Sequence, residues 1–215
     1  MKRPFETILF DLDGTLVDAF TTIHRSYIHT LPQFGRPVPS MAEVRRAVGG
    51  GLANAMSHFL PSEQIEDAMK VHLAYSRQIL LEDVKALPGA EDLLRALDAR
   101  GVKLAVYTNK LGDAARLICN HLGFSPYLQG TFGAGDTPWL KPQREFSEHV
   151  LHALGATAAT TLLVGDSPFD VETARTAGFA CWCVATGTHD EAQLRAAGAE
   201  KIFTGLPDVA RELAA

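Results

Sequence analysis

The chain has few cysteines, three in 215 residues, and no long apolar run. Three thiols are too few for the disulfide framework of a secreted domain, and an odd number leaves one unpaired. Cys181 and Cys183 flank Trp182 in an apolar stretch, where alternate positions of a strand share a face. We therefore expect buried, reduced thiols here rather than a metal site. No run approaches the roughly 20 apolar residues of a membrane-spanning helix, so none is predicted.

Basic residues are also fewer than acidic ones. The formal net charge is -5, which argues against a nucleic-acid partner or an anionic membrane surface. Residues Met1 to Phe5 include two basic side chains but lead directly into a predicted strand, so no secretory signal is predicted. We expect a cytoplasmic protein, a monomer or homodimer, whose partner is a small molecule.

Strand patterns are lacking between residues 18 and 83. Apolar residues recur there at helical spacing, as in the stripe formed by Ile23, Tyr27 and Leu31. Ser40, followed three residues later by Glu43, predicts a helix that begins with a capping box. This stretch therefore predicts a small helical bundle inserted directly after the first strand.

Short apolar runs alternate with helical patterns in the rest of the chain. Strands are predicted at residues 102–107, 130–134, 161–164, 180–184 and 202–203. Helices are predicted at residues 90–100, 113–122, 145–154, 171–177, 191–197 and 208–213. Strand–helix units of this length predict an α/β fold, with a mostly parallel, Rossmann-like sheet covered by helices. The expected core is residues 1–17 plus 84–215, with residues 18–83 as the inserted domain.

The first predicted strand ends in two carboxylates one residue apart. The apolar run from Ile8 to Phe10 is followed by Asp11 and Asp13, then by a glycine and a threonine. Two acids this close repel each other and need a cation, a shared proton or solvent to compensate them. The simpler interpretation is an ordinary Asx-rich turn that leaves a strand.

Polar residues follow three predicted strands at their carboxyl ends. They are Asp11 with Asp13, Thr108 with Asn109, and Asp166 with Asp170. In a parallel sheet these ends share one edge, and Lys141, in the loop after another strand, can reach the same edge. Clustered carboxylates suit Mg²⁺, while threonine, asparagine, lysine and backbone N–H groups suit a phosphoryl group. One carboxylate can attack phosphorus while a second transfers the proton.

Four motifs resemble those of the haloacid dehalogenase superfamily of phosphatases, and together they span essentially the whole chain. They are Asp-Leu-Asp-Gly-Thr at 11–15, Thr-Asn-Lys at 108–110, Lys-Pro at 141–142 and Gly-Asp-Ser-x-x-Asp at 165–170. The residues around Tyr107 and Arg175 are most similar to the phosphoglycolate phosphatase branch. Asp13 argues against dehalogenation, because the founding dehalogenases lack an acid there.

The resemblance implies a role for each motif. Asp11 would be the nucleophile, Asp13 the general acid/base, and Lys141 the catalytic cation. The phosphate-binding residues would be Leu12, Thr108 and Asn109. The Mg²⁺ ligands would be Asp11, Asp13 through its carbonyl, Asp166 and Asp170, the last orienting a metal-bound water. Residues 18–83 would form a small C1-type cap that closes over the site and selects the substrate.

Some features of the inserted domain and of two motifs are open to more than one interpretation. Gly49, Gly50 and Gly51 form either a simple helix break or a loop that brings backbone N–H groups to the substrate. Arg45 would meet a substrate carboxylate or lie on a solvated helix face. The family often has Lys-Pro-x-Pro where this chain has Gln143-Arg144 after Pro142, and Phe169 stands where relatives have small or polar residues and could narrow the mouth of the site.

The resulting functional prediction is a Mg²⁺-dependent phosphomonoester hydrolase that acts through an aspartyl-phosphate. The leading substrate is 2-phosphoglycolate. Sugar phosphates, nucleoside monophosphates and pyrophosphate are the alternative substrates. Two alternative functions are a β-phosphoglucomutase-like phosphomutase and a phospho-aspartate binding module without turnover.

Overall fold

The computed structural model describes residues 5–214. Most of the segment considered above for a secretory signal, residues 1–4, and residue 215 lie outside the described part. The strands are β1 (Thr7–Phe10), β2 (Val17–Asp18), β3 (Lys85–Ala86), β4 (Lys103–Leu111), β5 (Gly130–Ala134), β6 (Thr161–Gly165), β7 (Ala180–Val184) and β8 (Lys201–Phe203). The helices are α1 (Phe20–Thr30), α2 (Met41–Ala47), α3 (Leu52–Ser57), α4 (Ser62–Ile79), α5 (Ala90–Asp98), α6 (Gly112–His121), α7 (Arg144–Leu154), α8 (Pro168–Ala177), α9 (Glu191–Ala196) and α10 (Leu206–Ala214).

The main sheet of the described residues has six strands in the order β5-β4-β1-β6-β7-β8. Each neighbouring pair is parallel. Phe10, the last residue of β1, lies opposite Val106 of β4 and Val164 of β6. The chain therefore leaves these three strands at one edge, where α/β folds bind their ligands. The predicted α/β class with a parallel Rossmann-like sheet is confirmed.

The central strand β1 is buried on both faces. Ile8 and Phe10 join one apolar cluster, while Leu9 joins a second cluster across the sheet, as expected for side chains that alternate along a strand. Fully burying such a side chain contributes roughly 1.5–3 kcal/mol. Because these residues hold β1 from both sides, the position of Asp11, the next residue, is fixed by the core.

Helices α1 to α4, between Phe20 and Ile79, form a layer above that edge of the sheet, which we call the helical layer. It has an apolar cluster of its own, which includes Tyr27, Val44 and Met56. α2 begins at the predicted capping box of Ser40 and Glu43. The chain enters and leaves the layer through an antiparallel ribbon of β2 and β3, which the sequence did not predict.

The strand predicted at residues 102–107 corresponds to β4. Its predicted end at Tyr107 is wrong, because β4 continues to Leu111. The pairing of β4 with β5 shifts register between Tyr107 and Leu111, where Leu111 lies opposite Ala134. Residues 108–110 therefore lie in the irregular part of the strand. A bulge of this kind re-aims side chains at the end of a sheet.

The predicted start of α8 at Val171 is also wrong. The helix begins at Pro168, where proline suits the first helical position. Ser167 is the N-cap residue, and its hydrogen bonds with Asp170 form a capping box. Asp170 thus lies in the first turn of the helix.

Membrane crossing by a helix is not supported: none of the helices within residues 5–214 combines the required length with sufficient hydropathy.

Candidate active site

Asp11 and Asp13 lie on the tight loop that follows β1. Both residues are buried, each with 8% of its surface exposed. The carbonyl of Leu12 accepts hydrogen bonds from the N–H groups of residues 15–17, which turns the chain back over the end of the strand. The Leu12 side chain is fully buried, so only its backbone can take part in phosphate binding.

Lys141 is buried between two carboxylates. Its Nζ donates to Asp11 Oδ1 at 2.9 Å and to Asp170 Oδ1 at 2.7 Å. Burial alone would lower the pKa of Lys141, but the charges of Asp11 and Asp170 outweigh burial and hold it above its usual value. Lys141 is therefore a charged ammonium group in contact with Asp11, as a catalytic cation would be.

Burial also perturbs Asp11 itself. Desolvation raises its pKa to about 6, with Lys141 opposing the rise and the neighbouring charges of Asp170 and Asp13 adding to it. Lys141 therefore offsets only part of the effect that burial and the neighbouring acids have on the pKa of Asp11. A further cation at this edge would lower the pKa of Asp11.

Asp166 follows β6 and is held by two threonines. Its Oδ1 accepts from Thr15 Oγ1 at 3.1 Å, and its Oδ2 accepts from the N–H and the Oγ1 of Thr188 at 2.7 and 2.9 Å. Desolvation, followed by repulsion from Asp11 and Asp170, raises the pKa of Asp166 to about 8. A Cβ added at position 187 would overlap Asp166 Oδ2, so glycine is needed there.

Asp170 uses both of its oxygens within the protein. Oδ1 accepts from Lys141, and Oδ2 accepts from the N–H of Ser167 at 3.1 Å and from its Oγ at 2.6 Å. Asp11, Asp166 and Asp170 nevertheless offer carboxylate oxygens within 4.8 Å of one another, which makes them a possible metal-binding group. The Asp13 side chain does not belong to this group.

The Asp13 side chain pairs instead with Lys110. Lys110 Nζ lies 2.9 Å from Asp13 Oδ2 and 3.2 Å from Oδ1. Lys110 belongs to the Thr-Asn-Lys motif, but the sequence analysis assigned it no role.

Thr108 and Asn109 are buried beside this pair, in the irregular part of β4. Asn109 Nδ2 donates to the carbonyls of Gly49 and Lys141 at 2.9 and 3.0 Å, and its Oδ1 accepts from the N–H of Lys141 at 2.8 Å. In this conformation Asn109 ties the Lys141 loop to the helical layer. Its predicted contact with phosphate stays a prediction.

The three consecutive glycines lie where the helical layer meets the core. Gly49 and Gly51 line the cavity described below and have φ angles of 123° and 86°. Gly50 packs beside Phe169: a Cβ added there would lie 2.6 Å from Phe169 Cζ. Phe169 thus supports the glycine loop from the core side.

Arg45 contacts the core rather than the cavity. Its Nη1 donates to the carbonyl of Gly187 at 3.1 Å, and its guanidinium lies 3.9 Å from the centre of the Phe20 ring. Arg45 therefore joins the helical layer to the loop after β7.

A cavity of about 470 Å³ lies between the helical layer and the carboxyl edge of the sheet. Its core side includes Asp11, Asp13, Thr108, Asn109 and Asp166. This volume falls in the range of roughly 300–1,000 Å³ found for small-molecule sites. Residues that the sequence placed on separate strand ends thus meet at one cavity.

The loop after β7, which was not among the predicted site segments, contributes Gly187 and Thr188 to the position of Asp166. The available signal was the end of the predicted strand at Val184, followed by Thr186-Gly187-Thr188. The carboxyl ends of parallel strands share an edge, so this loop belonged with the others. Lys110 could have been found only from its contact with Asp13.

Comparison with known proteins finds a family and several relatives that this chain resembles. Residues 8–184 match the sequence model of the family described as haloacid dehalogenase-like hydrolase. A probable phosphatase of Dickeya dadantii, IndB, is 32% identical over 94% of this chain and 90% of its own length. A phosphoglycolate phosphatase of Pseudomonas savastanoi pv. phaseolicola is 30% identical over 84% of this chain and 69% of its own length.

A solved structure has the same fold. The crystal structure of a predicted phosphoglycolate phosphatase from Haemophilus somnus superposes with a TM-score of 0.90 and covers 99% of both chains at 24% identity. At this level of identity the similarity shows the fold alone.

Proposed function

The chain belongs to the haloacid dehalogenase-like hydrolase family and is a phosphatase, and from this premise we propose that it hydrolyses phosphomonoesters in a Mg²⁺-dependent, two-step reaction through Asp11. The observation that carries the proposal is the buried contact of Lys141 Nζ with Asp11 Oδ1 at 2.9 Å. A lysine held against a carboxylate at the floor of a cavity fits a nucleophile that must receive a phosphoryl group.

The acidic cluster fits Mg²⁺. Asp11, Asp166 and Asp170 offer hard oxygen donors close together, and burial and mutual repulsion raise the pKa values of Asp11 and Asp166. We assign Asp11, Asp166 and the backbone carbonyl of Asp13 as ligands, and Asp170, which also pairs with Lys141, as the residue that would complete the metal site. When bound, the ion supplies positive charge that offsets the charge of the phosphate.

The first step forms an aspartyl-phosphate. An oxygen of Asp11 attacks phosphorus, the bond between phosphorus and the leaving oxygen breaks, and Asp13 gives its proton to that oxygen. Lys141 donates to Asp11 Oδ1, which leaves the other carboxylate oxygen for the attack. Thr108, Asn109 and the backbone N–H of Leu12 bind the phosphoryl oxygens.

The second step returns the enzyme to its starting state. Asp13 takes a proton from water as the water oxygen attacks phosphorus, and the bond between phosphorus and Asp11 breaks. Inorganic phosphate leaves with the water oxygen. Asp13 keeps the proton for the next leaving group.

The helical layer acts as the cap in this proposal, with residues 18–83 as the cap domain. Its contacts with the core through Gly49 and Arg45 describe a closed position, which excludes water from the site. The β2–β3 ribbon is the hinge through which the cap opens to admit substrate and release phosphate.

The resemblance and the phosphoglycolate phosphatase relative support 2-phosphoglycolate as the substrate. Sugar phosphates, nucleoside monophosphates and pyrophosphate are alternatives, because the cavity is large enough for bigger leaving groups. The free thiols of Cys119, Cys181 and Cys183 support a reducing, cytoplasmic location.

Replacement of Asp11 tests the proposal. The protein is expected to release phosphate from p-nitrophenyl phosphate with Mg²⁺ and not with excess EDTA. Asp11→Asn is expected to abolish the release, because the amide cannot accept the phosphoryl group. Activity that survives this substitution would contradict an aspartyl-phosphate mechanism.

Product analysis separates the alternative functions. Formation of glucose 6-phosphate from glucose 1-phosphate would identify a phosphomutase. A single burst of phosphate without further turnover would identify a phospho-aspartate binding module.

A further inference from the structure

The carboxyl group of Asp13 is held by a single side chain. Lys110 Nζ donates to Asp13 Oδ2 at 2.9 Å and to Asp13 Oδ1 at 3.2 Å. Within residues 5–214, every hydrogen bond that this carboxyl group accepts comes from Lys110. The orientation of Asp13 therefore depends on a lysine that takes part in neither step of the proposed reaction.

The pair formed by Lys110 and Asp13 faces the cavity. Both residues line it, and their side chains are 15% and 10% exposed. Lys141, which contacts Asp11, is only 2% exposed and is not among the residues that line the cavity. An ion pair that is largely removed from solvent is screened less than a surface pair, so it holds its side chains more firmly.

The backbone fixes where the Lys110 side chain begins. Its N–H donates to Thr108 Oγ1 at 3.2 Å, and the next residue, Leu111, pairs with Ala134 of β5 after the register shift. Lys110 is thus anchored on both sides within the irregular end of β4. A bulge at the end of a strand re-aims side chains in this way.

No second cation of the described residues is placed to hold Asp13. Arg77, which also lines the cavity, contacts Asp113 at 3.3 Å. Burial, with a further contribution from the charge of Lys110, lowers the pKa of His72 to about 4, so this ring is uncharged near neutral pH. Removal of Lys110 would therefore leave the Asp13 carboxylate without a charged partner.

We propose that Lys110 is a positioning residue for proton transfer, which holds Asp13 so that one carboxyl oxygen faces the leaving oxygen of the substrate. Oδ2, the closer oxygen, stays on Lys110, and Oδ1 exchanges the proton. In the first step this proton goes to the leaving oxygen as its bond to phosphorus breaks, and in the second it comes from the attacking water. Lys110 keeps its own protons. The inference rests on the proposed function, since it requires Asp13 to be the acid and base.

Two esters with different leaving groups test the inference. p-Nitrophenolate leaves as a stable anion and needs little protonation, whereas the alcohol oxygen of benzyl phosphate must receive a proton as it leaves. In Lys110→Met, kcat/KM for benzyl phosphate is expected to fall about 10- to 100-fold, and that for p-nitrophenyl phosphate less than about threefold. This ratio between esters would not change if Lys110 only stabilised the fold.

The second step provides a further readout. Attack by water needs Asp13 as the base whatever the leaving group was, so kcat for p-nitrophenyl phosphate is expected to fall about tenfold in Lys110→Met. Because kcat/KM for this ester is nearly kept, its KM falls together with kcat. Loss of phosphate binding would instead raise KM.

Three further variants serve as controls. Lys110→Arg keeps the charge and is expected to recover part of the loss with benzyl phosphate. Lys110→Gln carries the same expectation as Lys110→Met, and thermal unfolding checks that both fold. Lys70→Met is the matched control, because Lys70 on α4 contacts Asp67 at 2.9 Å but is 64% exposed and does not line the cavity. It is expected to leave kcat/KM for both esters unchanged.

A double variant shows whether Lys110 acts through Asp13. If it does, adding Lys110→Met to Asp13→Asn lowers kcat/KM for benzyl phosphate no further than Asp13→Asn alone. A further loss in the double variant would overturn the inference, because Lys110 would then act on the substrate directly.

Equal losses with the two esters in Lys110→Met would also overturn the inference. If Asp11→Asn abolishes activity while these losses are equal, the proposed function stands and only the role of Lys110 fails. Activity that survives in Asp11→Asn contradicts the proposed function itself, whatever the result at Lys110.

Discussion

At the scale of single residues, burial gives the acids and the lysine of the site their distinct properties. Lys141 stays charged because Asp11 and Asp170 surround it. Asp11 and Asp166 bind protons more tightly than exposed acids, because desolvation and mutual repulsion disfavour their charged forms. Aspartate and lysine are common residues. They form a candidate site here because they are buried and lie close together.

The raised pKa values predict how Mg²⁺ stabilises the protein at different pH. The pKa rises from 3.8 to about 6 for Asp11 and from 3.8 to about 8 for Asp166. Between about pH 4 and about pH 8 the folded state thus holds protons that the unfolded chain has released, so the metal-free protein loses stability as the pH rises through this window. Mg²⁺ binds the deprotonated carboxylates, so the Tm in MgCl₂ minus the Tm in EDTA is expected to grow from about pH 5 to about pH 8.

Two variants accompany this measurement. Asp166→Asn is expected to remove most of the effect of Mg²⁺ on Tm. Asp92→Asn, which alters an exposed acid paired with Arg95 on α5, is expected to leave the effect unchanged. A Tm difference independent of pH in the wild-type protein would argue against Mg²⁺ at these carboxylates.

At the scale of elements, the site depends on how the glycine loop between α2 and α3 meets the start of α8. Gly49 is hydrogen-bonded to Asn109, and Gly50 lies against Phe169. Asn109 in turn holds the backbone of Lys141. The position of this loop is therefore connected, through Asn109, to the position of Lys141.

Gly50→Ala tests that connection. The new methyl group would lie 2.5 Å from Asn54 Nδ2 and 2.6 Å from Phe169 Cζ, which cannot be accommodated without movement of the loop or of these side chains. Overpacking of this kind costs about 1–3 kcal/mol, so kcat/KM for phenyl phosphate is expected to fall by roughly tenfold or more.

The double variant Gly50→Ala/Phe169→Ala removes the clash with the ring, while the flexible Asn54 side chain stays beside the methyl group, so it is expected to recover part of the loss. Gly205→Ala is the control, because a Cβ there meets its nearest neighbours at 3.6 Å, an ordinary contact. Equal losses in the single and double variants would show that Phe169 does not act through position 50.

At the scale of the whole molecule, we expect the helical layer and the core to unfold independently, because each has its own apolar cluster. One cluster lies on each face of the sheet, and another lies within the helical layer. The ribbon of β2 and β3 connects the two parts covalently. A cap that opens about this ribbon requires that its own cluster stay packed while the contacts with the core break.

Hydrogen exchange tests this independence. Met56 in the helical layer and Leu163 in β6 are both fully buried, and truncation of such a side chain to alanine costs about 2–5 kcal/mol. Met56→Ala is expected to speed amide exchange within residues 20–79 and leave β1 and β6 protected. Leu163→Ala is expected to speed exchange in β1 and β6. If each variant instead speeds amide exchange equally in the helical layer and in the sheet, the helical layer and the core unfold as one unit.

Much of the fold was predictable from local pattern. The strands at residues 130–134 and 180–184 have the predicted bounds, and α2 begins at the predicted capping box of Ser40. Apolar runs and helix caps are determined by neighbouring residues, so they can be recognised in sequence. The end of β4 was mispredicted because residues 108–110 are polar, and a shifted pairing with β5 extends the strand to Leu111.

Local sequence pattern was enough to predict the family, the α/β class and the acids at strand ends. Their convergence followed because a parallel sheet brings those ends to one edge. Only the tertiary structure decided the partners of each side chain: Lys141 between Asp11 and Asp170, Lys110 on Asp13, Thr188 on Asp166, and Asn109 on Gly49. These contacts join residues far apart in the chain, and their pairing depends on packing distances of a few ångströms that no local pattern specifies.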